Sequence, residues 1–241
     1  FPVHTGLYTN MNAIRRDELL DNLHSCYVDQ WDWEKVISRS ERTKETLFET
    51  VRTIFKVIKH MEHEVWYKYP DAVCHLADKI VFVDSQELED MYPNKTPKER
   101  EAVITEKYGC VFIYRIGAPL NLSKHPHDGR APDYDDWQLN GDILFWLPSL
   151  KMPLEISSMG IRVDEHSIVS QCEAMHCTGR LALPYHQMIQ KKQLPYTIGG
   201  GIGQSRLCML LLNKAHVGEV QASIWPEQMI EDCEKNRIHL L

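Results

Sequence analysis

The chain has 241 residues, 43% of them hydrophobic and 25% charged, which is enough for one large core. Its net charge of −7 and pI near 5.9 argue against nucleic acid as a main ligand, and no basic run exceeds two residues. No apolar stretch approaches the roughly 18 residues of a membrane span, and no signal or transit peptide is visible.

In chain order, "GLYTNMNAIRRDE" and "LHSCYVDQWDW" read as two strands around a charged loop. Gln30 and Asp32 share one face of the second, because strand side chains alternate. From about Arg39 to Tyr69 the spacing of Leu47, Val51, Ile54, Phe55, Ile58, Met61 and Val65 predicts a long amphipathic helix. A strand "IVFVD" and a short helix from Ser85 follow. "TPKEREAVITEKYG" carries full helix punctuation: Thr96 as N-cap, Pro97 at the first position, Glu99 closing the capping box and Gly109 ending the helix. "CVFIYRIG" is a buried strand. Past "RAPDYDDW", the runs "DILFWL" and "LEISSMGIR" form a hairpin across "PSLKM". A helical stretch near 181 to 192 leads to a glycine loop, its helix and a last strand, "QASIWP". There is no internal repeat and no interdomain linker. The expected fold is α+β: a single domain over 1 to 241, with a mainly antiparallel sheet flanked by helices.

The seven cysteines (Cys26, Cys74, Cys110, Cys172, Cys177, Cys208 and Cys233) form no Cys-x-x-Cys pair and are odd in number. They read as free thiols of a reducing compartment, the cytoplasm. Cys172, His176 and Cys177 have poor zinc spacing. His60, His63 and Glu64 do not make His-Glu-x-x-His and read as a solvated helix face.

Two stretches carry chemistry. In "TIGGGIGQSR", Gly201-x-Gly203-x-x-Arg206 opens an apolar helix; it is neither a P-loop nor the dinucleotide fingerprint. Bare backbone admits a flat ligand, and a guanidinium binds phosphate or covers a base. A tight turn with a surface arginine fits this motif equally well. Arg15 follows a strand and precedes Asp17 and Glu18, as an anion clamp would. Asp142 and Glu155 flank the hairpin at nearly symmetric distances from its turn. In that register they meet across two strands, and two such carboxylates want a divalent cation. Exposed strand-end acids are the alternative.

"IRRDE", the adjoining strand, the acidic hairpin and "GGGIGQSR" resemble motifs two and three of the class II aminoacyl-tRNA synthetase catalytic domain. The longer strings "HSCYVDQWDWE", "RAPDYDDW", "LNGDILFW", "EISSMGIR" and "TIGGGIGQSR" resemble the ammonia-dependent aspartate–ammonia ligases, asparagine synthetases of the A type, through nearly the whole chain. The resemblance implies synthesis of L-asparagine from L-aspartate, ATP and ammonia through an aspartyl-adenylate, with release of AMP and pyrophosphate. It implies Arg15 at the α-phosphate and Arg206 in the ATP site, with Gly201 and Gly203 letting the nucleotide approach. It places Leu23 and Ser25 at the adenine end and Mg2+ on Asp142 and Glu155. Gln30, Asp32, Ser157 and Ser158 would serve aspartate, and Arg130 and Asp135 would lie in the active site. A homodimer is implied, with no nucleic acid and no membrane partner. Relatives carry a segment ahead of this start and a longer loop between Trp137 and Leu139, so both are expected of the native chain, which here begins without Met. An aspartyl- or asparaginyl-tRNA synthetase-like enzyme and a non-catalytic synthetase-like regulator are the alternatives.

Overall fold

The computed structural model describes residues 1–71 and 75–241; Cys74 lies outside the described residues. Strands β1 (Gly6–Ile14) and β2 (Tyr27–Ile37) precede helix α1 (Lys44–Lys68), and β3 (Val81–Asp84) leads into α2 (Ser85–Met91) and α3 (Pro97–Tyr108). Then come β4 (Cys110–Tyr114), β5 (Asp135–Leu147) and β6 (Met152–Arg162), followed by α4 (Ser167–Ala174) and α5 (Pro184–Gln190). The chain closes with β7 (Tyr196–Gly203), α6 (Gln204–Leu211) and α7 (Glu227–Lys235). All strands join one seven-stranded sheet in the order β1-β2-β7-β6-β5-β4-β3. Only β3 and β4 run parallel, so the sheet is mainly antiparallel as expected.

The helices cover the sheet unequally, and this creates the site. One face is sealed by α1 and α6. There Leu47, Val51, Phe55 and Ile58 pack with Phe112, Ile143, Phe145, Ile156, Met159, Ile198 and Leu210. Each fully buried side chain of this size contributes about 1.5–3 kcal/mol. On the opposite face, α2 and α3 cover only one end, where Leu88 and Ile104 meet Val83, Val111, Ile113 and Leu144. The strict alternation of β4 divides its residues between the two cores, Phe112 to one and Val111 and Ile113 to the other. Over β2, β7 and β6 that second face holds an open cleft.

Local signals behaved as physics requires. Thr96 Oγ1 accepts from the Glu99 N–H (3.3 Å), Glu99 accepts from the Thr96 N–H (2.7 Å), and Gly109 ends α3 at φ 74°. α1 starts later than its periodicity suggests. Residues 39–41 form a 3-10 turn and Thr43 caps the helix, accepting from the Thr46 N–H at 3.2 Å. The turn leaves Arg42 outside the helix, buried and paired with Asp136 (2.9 Å) and Asp164 (3.3 Å).

Three expectations need correction. The glycine stretch is the strand β7, not a loop, paired on both sides. The "QASIWP" segment forms no strand; both edges of β7, its preceding strand, are already taken by β2 and β6. α4 was not foreseen. Its start is set by the Asp164 carboxylate, which accepts from the His166 and Ser167 N–H groups at 2.9 and 2.8 Å. β5 itself runs unbroken through Trp137–Leu139, although its pairing with β6 is interrupted between Asp135 and Asn140. Among the described residues, no helix is long and apolar enough to cross a membrane.

Candidate active site

The cleft has a volume of about 500 Å³, and β7 is its floor. Gly201 pairs with Asp32 on one side and Ser158 on the other, and Gly203 pairs with Gln30. None of the glycines from 199 to 203 has a positive φ, so backbone freedom is not why they are there. Space is the reason. A Cβ on Gly201 would stand 2.6 Å from both Asp32 Oδ1 and Gln30 Nε2. A Cβ on Gly199 would strike Glu34 and Arg162. The bare strand lets the polar side chains of β2 and β6 lean across it.

Around this floor the structure gathers Arg15, Leu23, Ser25, Gln30, Asp32, Arg130, Asp135, Glu155, Ser158, Gly201, Gly203 and Arg206. Arg15 leaves the end of β1 and pairs with Glu18 at 3.1 Å, half exposed. Arg206 stands on the first turn of α6 and donates to the Glu155 carbonyl at 3.3 Å. Ser25 is buried and meets Ser223 (2.7 Å) while accepting from the Tyr27 N–H (3.1 Å). Leu23 sits on a turn closed by Asp21, which accepts from the Leu23 and His24 N–H groups at 2.7 and 2.8 Å.

Two of the expected residues are placed differently. Ser157 is buried and turned into the sheet, away from the cleft. A β-bulge causes this. Ile143 pairs with Ser157 and Leu144 with Glu155, so Ile156 is an extra residue. The extra residue reverses the alternation, putting Glu155 and Ser158 on the cleft face and Ile156 in the core. The register set at the turn already keeps the two acids from lying directly opposite: Glu155 pairs with Leu144, and Asp142 with Ser158. Asp142 lies opposite Ser158 on the cleft face but is buried, ion-paired with Arg130, which lines the cleft. Arg130 is held in turn by Asp128 at 3.1 Å. Burial first, and then the Glu155 charge, push the Asp142 carboxyl up to about 7, against the pull of Arg130.

Glu34 and Arg162 escaped the sequence reading. Arg162 Nη2 binds Glu34 at 2.8 Å and its Nη1 binds Asp135 at 2.5 Å, while its guanidinium covers the Tyr134 ring at 4.0 Å. Burial raises the Asp135 pKa even so, with Arg162 opposing. Alternation could have found both: Glu34 continues the series Gln30, Asp32, and Arg162 continues Ser158, Gly160. Asp29 was also missed. It accepts from the Ser205 N–H (3.1 Å) and hydroxyl (2.7 Å), fixing the start of α6 and with it Arg206.

The antiparallel sheet with its helices has the fold of class II aminoacyl-tRNA synthetase catalytic domains. Solved structures agree at the level of fold. The aspartyl-tRNA synthetase of Entamoeba histolytica has a TM-score of 0.64 at 14% identity, covering 90% of this chain and 47% of that one. The Pyrococcus horikoshii asparaginyl-tRNA synthetase complexed with asparaginyl-adenylate has a TM-score of 0.62 at 12% identity, covering 92% and 54%. The chain thus spans about half the length of these synthetases.

Sequence places it more narrowly. Residues 1–237 match the aspartate–ammonia ligase family. The aspartate–ammonia ligase of Pediococcus pentosaceus is 69% identical over the whole chain, which covers 72% of that relative. The Lactobacillus johnsonii enzyme of the same name is 59% identical over the same shares. The chain belongs to the aspartate–ammonia ligase family, ATP-dependent ligases that make asparagine from aspartate.

Proposed function

We propose that the cleft performs this synthesis in two steps through an aspartyl-adenylate. A side-chain carboxylate oxygen of aspartate attacks the α-phosphorus of ATP, and the bond to pyrophosphate breaks. Ammonia then attacks the activated carbonyl carbon, the bond to AMP breaks, and asparagine forms with loss of a proton. The supporting observation is the convergence of Arg15, Arg206, Gln30, Asp32 and Ser158 across one glycine strand.

The first step gathers negative charge at phosphorus, so cations must be ready there. Arg15 exchanges Glu18 for the α-phosphate. The exchange costs little, because a half-exposed ion pair contributes only about 0–1 kcal/mol. Arg206 covers the nucleotide from the other side, with Leu23 and Ser25 at the adenine end. Gln30 and Asp32 hold aspartate, Asp32 taking its ammonium group, and Ser158 and Asp135 complete that end. Losing one such electrostatic contact costs on the order of 10²–10³ in rate.

The donor set fits magnesium. Glu155 lines the cleft, and the Oδ1 atom of buried Asp142 has no protein partner. A hard cation prefers a few carboxylates together with phosphate oxygens. Glu155 and Asp142 would hold the ion, which would supply charge neutralisation on the polyphosphate.

The described residues share one sheet, which supports a single catalytic domain over 1 to 241. A homodimer is part of the proposal, since Leu7, Tyr8 and Ile14 on the edge strand β1 are exposed. So is a cytoplasmic location, given the free thiols. The test is product analysis with aspartate, ATP, magnesium and ammonium. AMP and pyrophosphate should accumulate with asparagine, and hydroxylamine should trap aspartyl hydroxamate. ADP as the only nucleotide product would refute the adenylate.

A further inference from the structure

The segment entering β5 carries Tyr134 and Asp135 into the cleft, where the Tyr134 carbonyl accepts from the Val163 N–H at 3.0 Å, yet beyond Asp135 its pairing with β6 lapses. β5 pairs with β6 at Asp135–Arg162 and not again until Asn140–Gly160. Backbone groups in such a gap need other partners. One side chain supplies several of them. Gln171 of α4 is buried; its Nε2 donates to the Pro132 carbonyl (2.9 Å) and the Asp135 carbonyl (3.0 Å). Its Oε1 accepts from the Trp137 N–H at 2.9 Å. The neighbouring 3-10 turn and α5 grip the same segment, through Arg180 and His186 on Asp133 at 3.1 and 2.9 Å.

We infer that Gln171 is a positioning residue for the aspartate end of the site. It sets where Asp135 meets Arg162 and where the Tyr134 ring lies beneath that guanidinium. The inference rests on the proposed role of Asp135 toward aspartate. A carboxamide suits the segment because it presents two carbonyls and an N–H, and one amide group offers two N–H donors and an acceptor oxygen together. Without it the carbonyls of Pro132 and Asp135 lose their buried partner, and the segment must shift to satisfy them. A shift of about 1 Å in a positioned group is enough to cost up to 10²-fold in rate.

The test uses the full chain with Gln171→Met, which keeps length but no hydrogen bond. Gln171→Glu keeps the acceptor for Trp137 and sets a carboxylate against two carbonyls. Both should raise KM for aspartate about tenfold or more while KM for ATP stays within about twofold. Asp135→Asn is the reference. If it leaves KM for aspartate unchanged, the proposed role of Asp135 fails. If it raises that KM while the Gln171 variants only lower Tm, or raise both KM values alike, the positioning inference is overturned. Hydrogen exchange on the unsubstituted protein decides the matter even if the variants do not fold. Aspartate should slow exchange of the Trp137 amide, and unchanged exchange there would overturn the inference.

Discussion

Consider adding one methyl group to the cleft floor, as Gly201→Ala. The new Cβ would stand 2.6 Å from Asp32 Oδ1 and Gln30 Nε2, and ordinary contact begins at 3.4 Å. Both polar ends must therefore withdraw by roughly 0.8 Å, through rotation of flexible side chains at about 1 kcal/mol. The backbone need not move, and a strand alanine regains roughly 0.5–1 kcal/mol over glycine. Stability should stay close to wild type. Catalysis should not, since both displaced groups are those assigned to aspartate. We expect kcat/KM for aspartate to fall about 10- to 100-fold, with KM for ATP changed far less. Gly200→Ala is the control on the opposite face. Its Cβ would meet Met159 Cβ at 2.6 Å and the Ser158 carbonyl at 2.7 Å. Sheet backbone cannot rotate away, so overpacking should cost about 1–3 kcal/mol or more of stability. Steady-state asparagine formation and Tm read the two effects separately. Wild-type aspartate kinetics in Gly201→Ala, or an unchanged Tm in Gly200→Ala, would refute the reasoning.

Arg206→Lys keeps the charge and loses the planar fork, so kcat/KM for ATP should drop on the order of 10²-fold in a folded protein; kinetics within a few-fold of wild type would return Arg206 to a surface role. Glu155→Gln should weaken the magnesium dependence of adenylate formation, and an unchanged magnesium titration would count against the metal role. The same substitution removes a negative neighbour of Asp142, so the carboxyl now raised to about 7 should titrate lower, which NMR titration of Asp142 can follow. For stability the sign is set by that raised value: the folded state holds the proton more tightly than the unfolded one, so Asp142 erodes stability as pH rises from about 4 to 7. Glu155→Gln should flatten this slope in urea titrations across that window. Glu89, wholly buried, accepts from the Leu122 and Ser123 N–H groups at 2.9 and 3.1 Å and faces Arg100 at 3.6 Å. Glu89→Ala should cost about 3–5 kcal/mol by urea unfolding, because it strands a buried guanidinium.

Features with a local cause were legible in the sequence alone. The capping box and closing glycine of α3 act within a few residues, and the apolar spacing of α1 needs only helical geometry. The shared face of Gln30 and Asp32 needs only strand alternation. Several ordered strings together sufficed to indicate the family. What lay beyond reach depends on partners distant in the chain. A run of glycines reads as a loop until β2 and β6 close on it, and only then do Asp32 and Gln30 show why no side chain fits. The bulge at Ile156 is a matter of register between strands, and it decides that Ser158 rather than Ser157 faces the cleft. Burial of Asp142 behind Arg130, the joining of Glu34 to Arg162 and the grip of Gln171 on β5 are likewise decided by packing. Tertiary structure settles these because burial and ion pairing depend on distances in space, whereas periodicity in a sequence reports only neighbours along the chain.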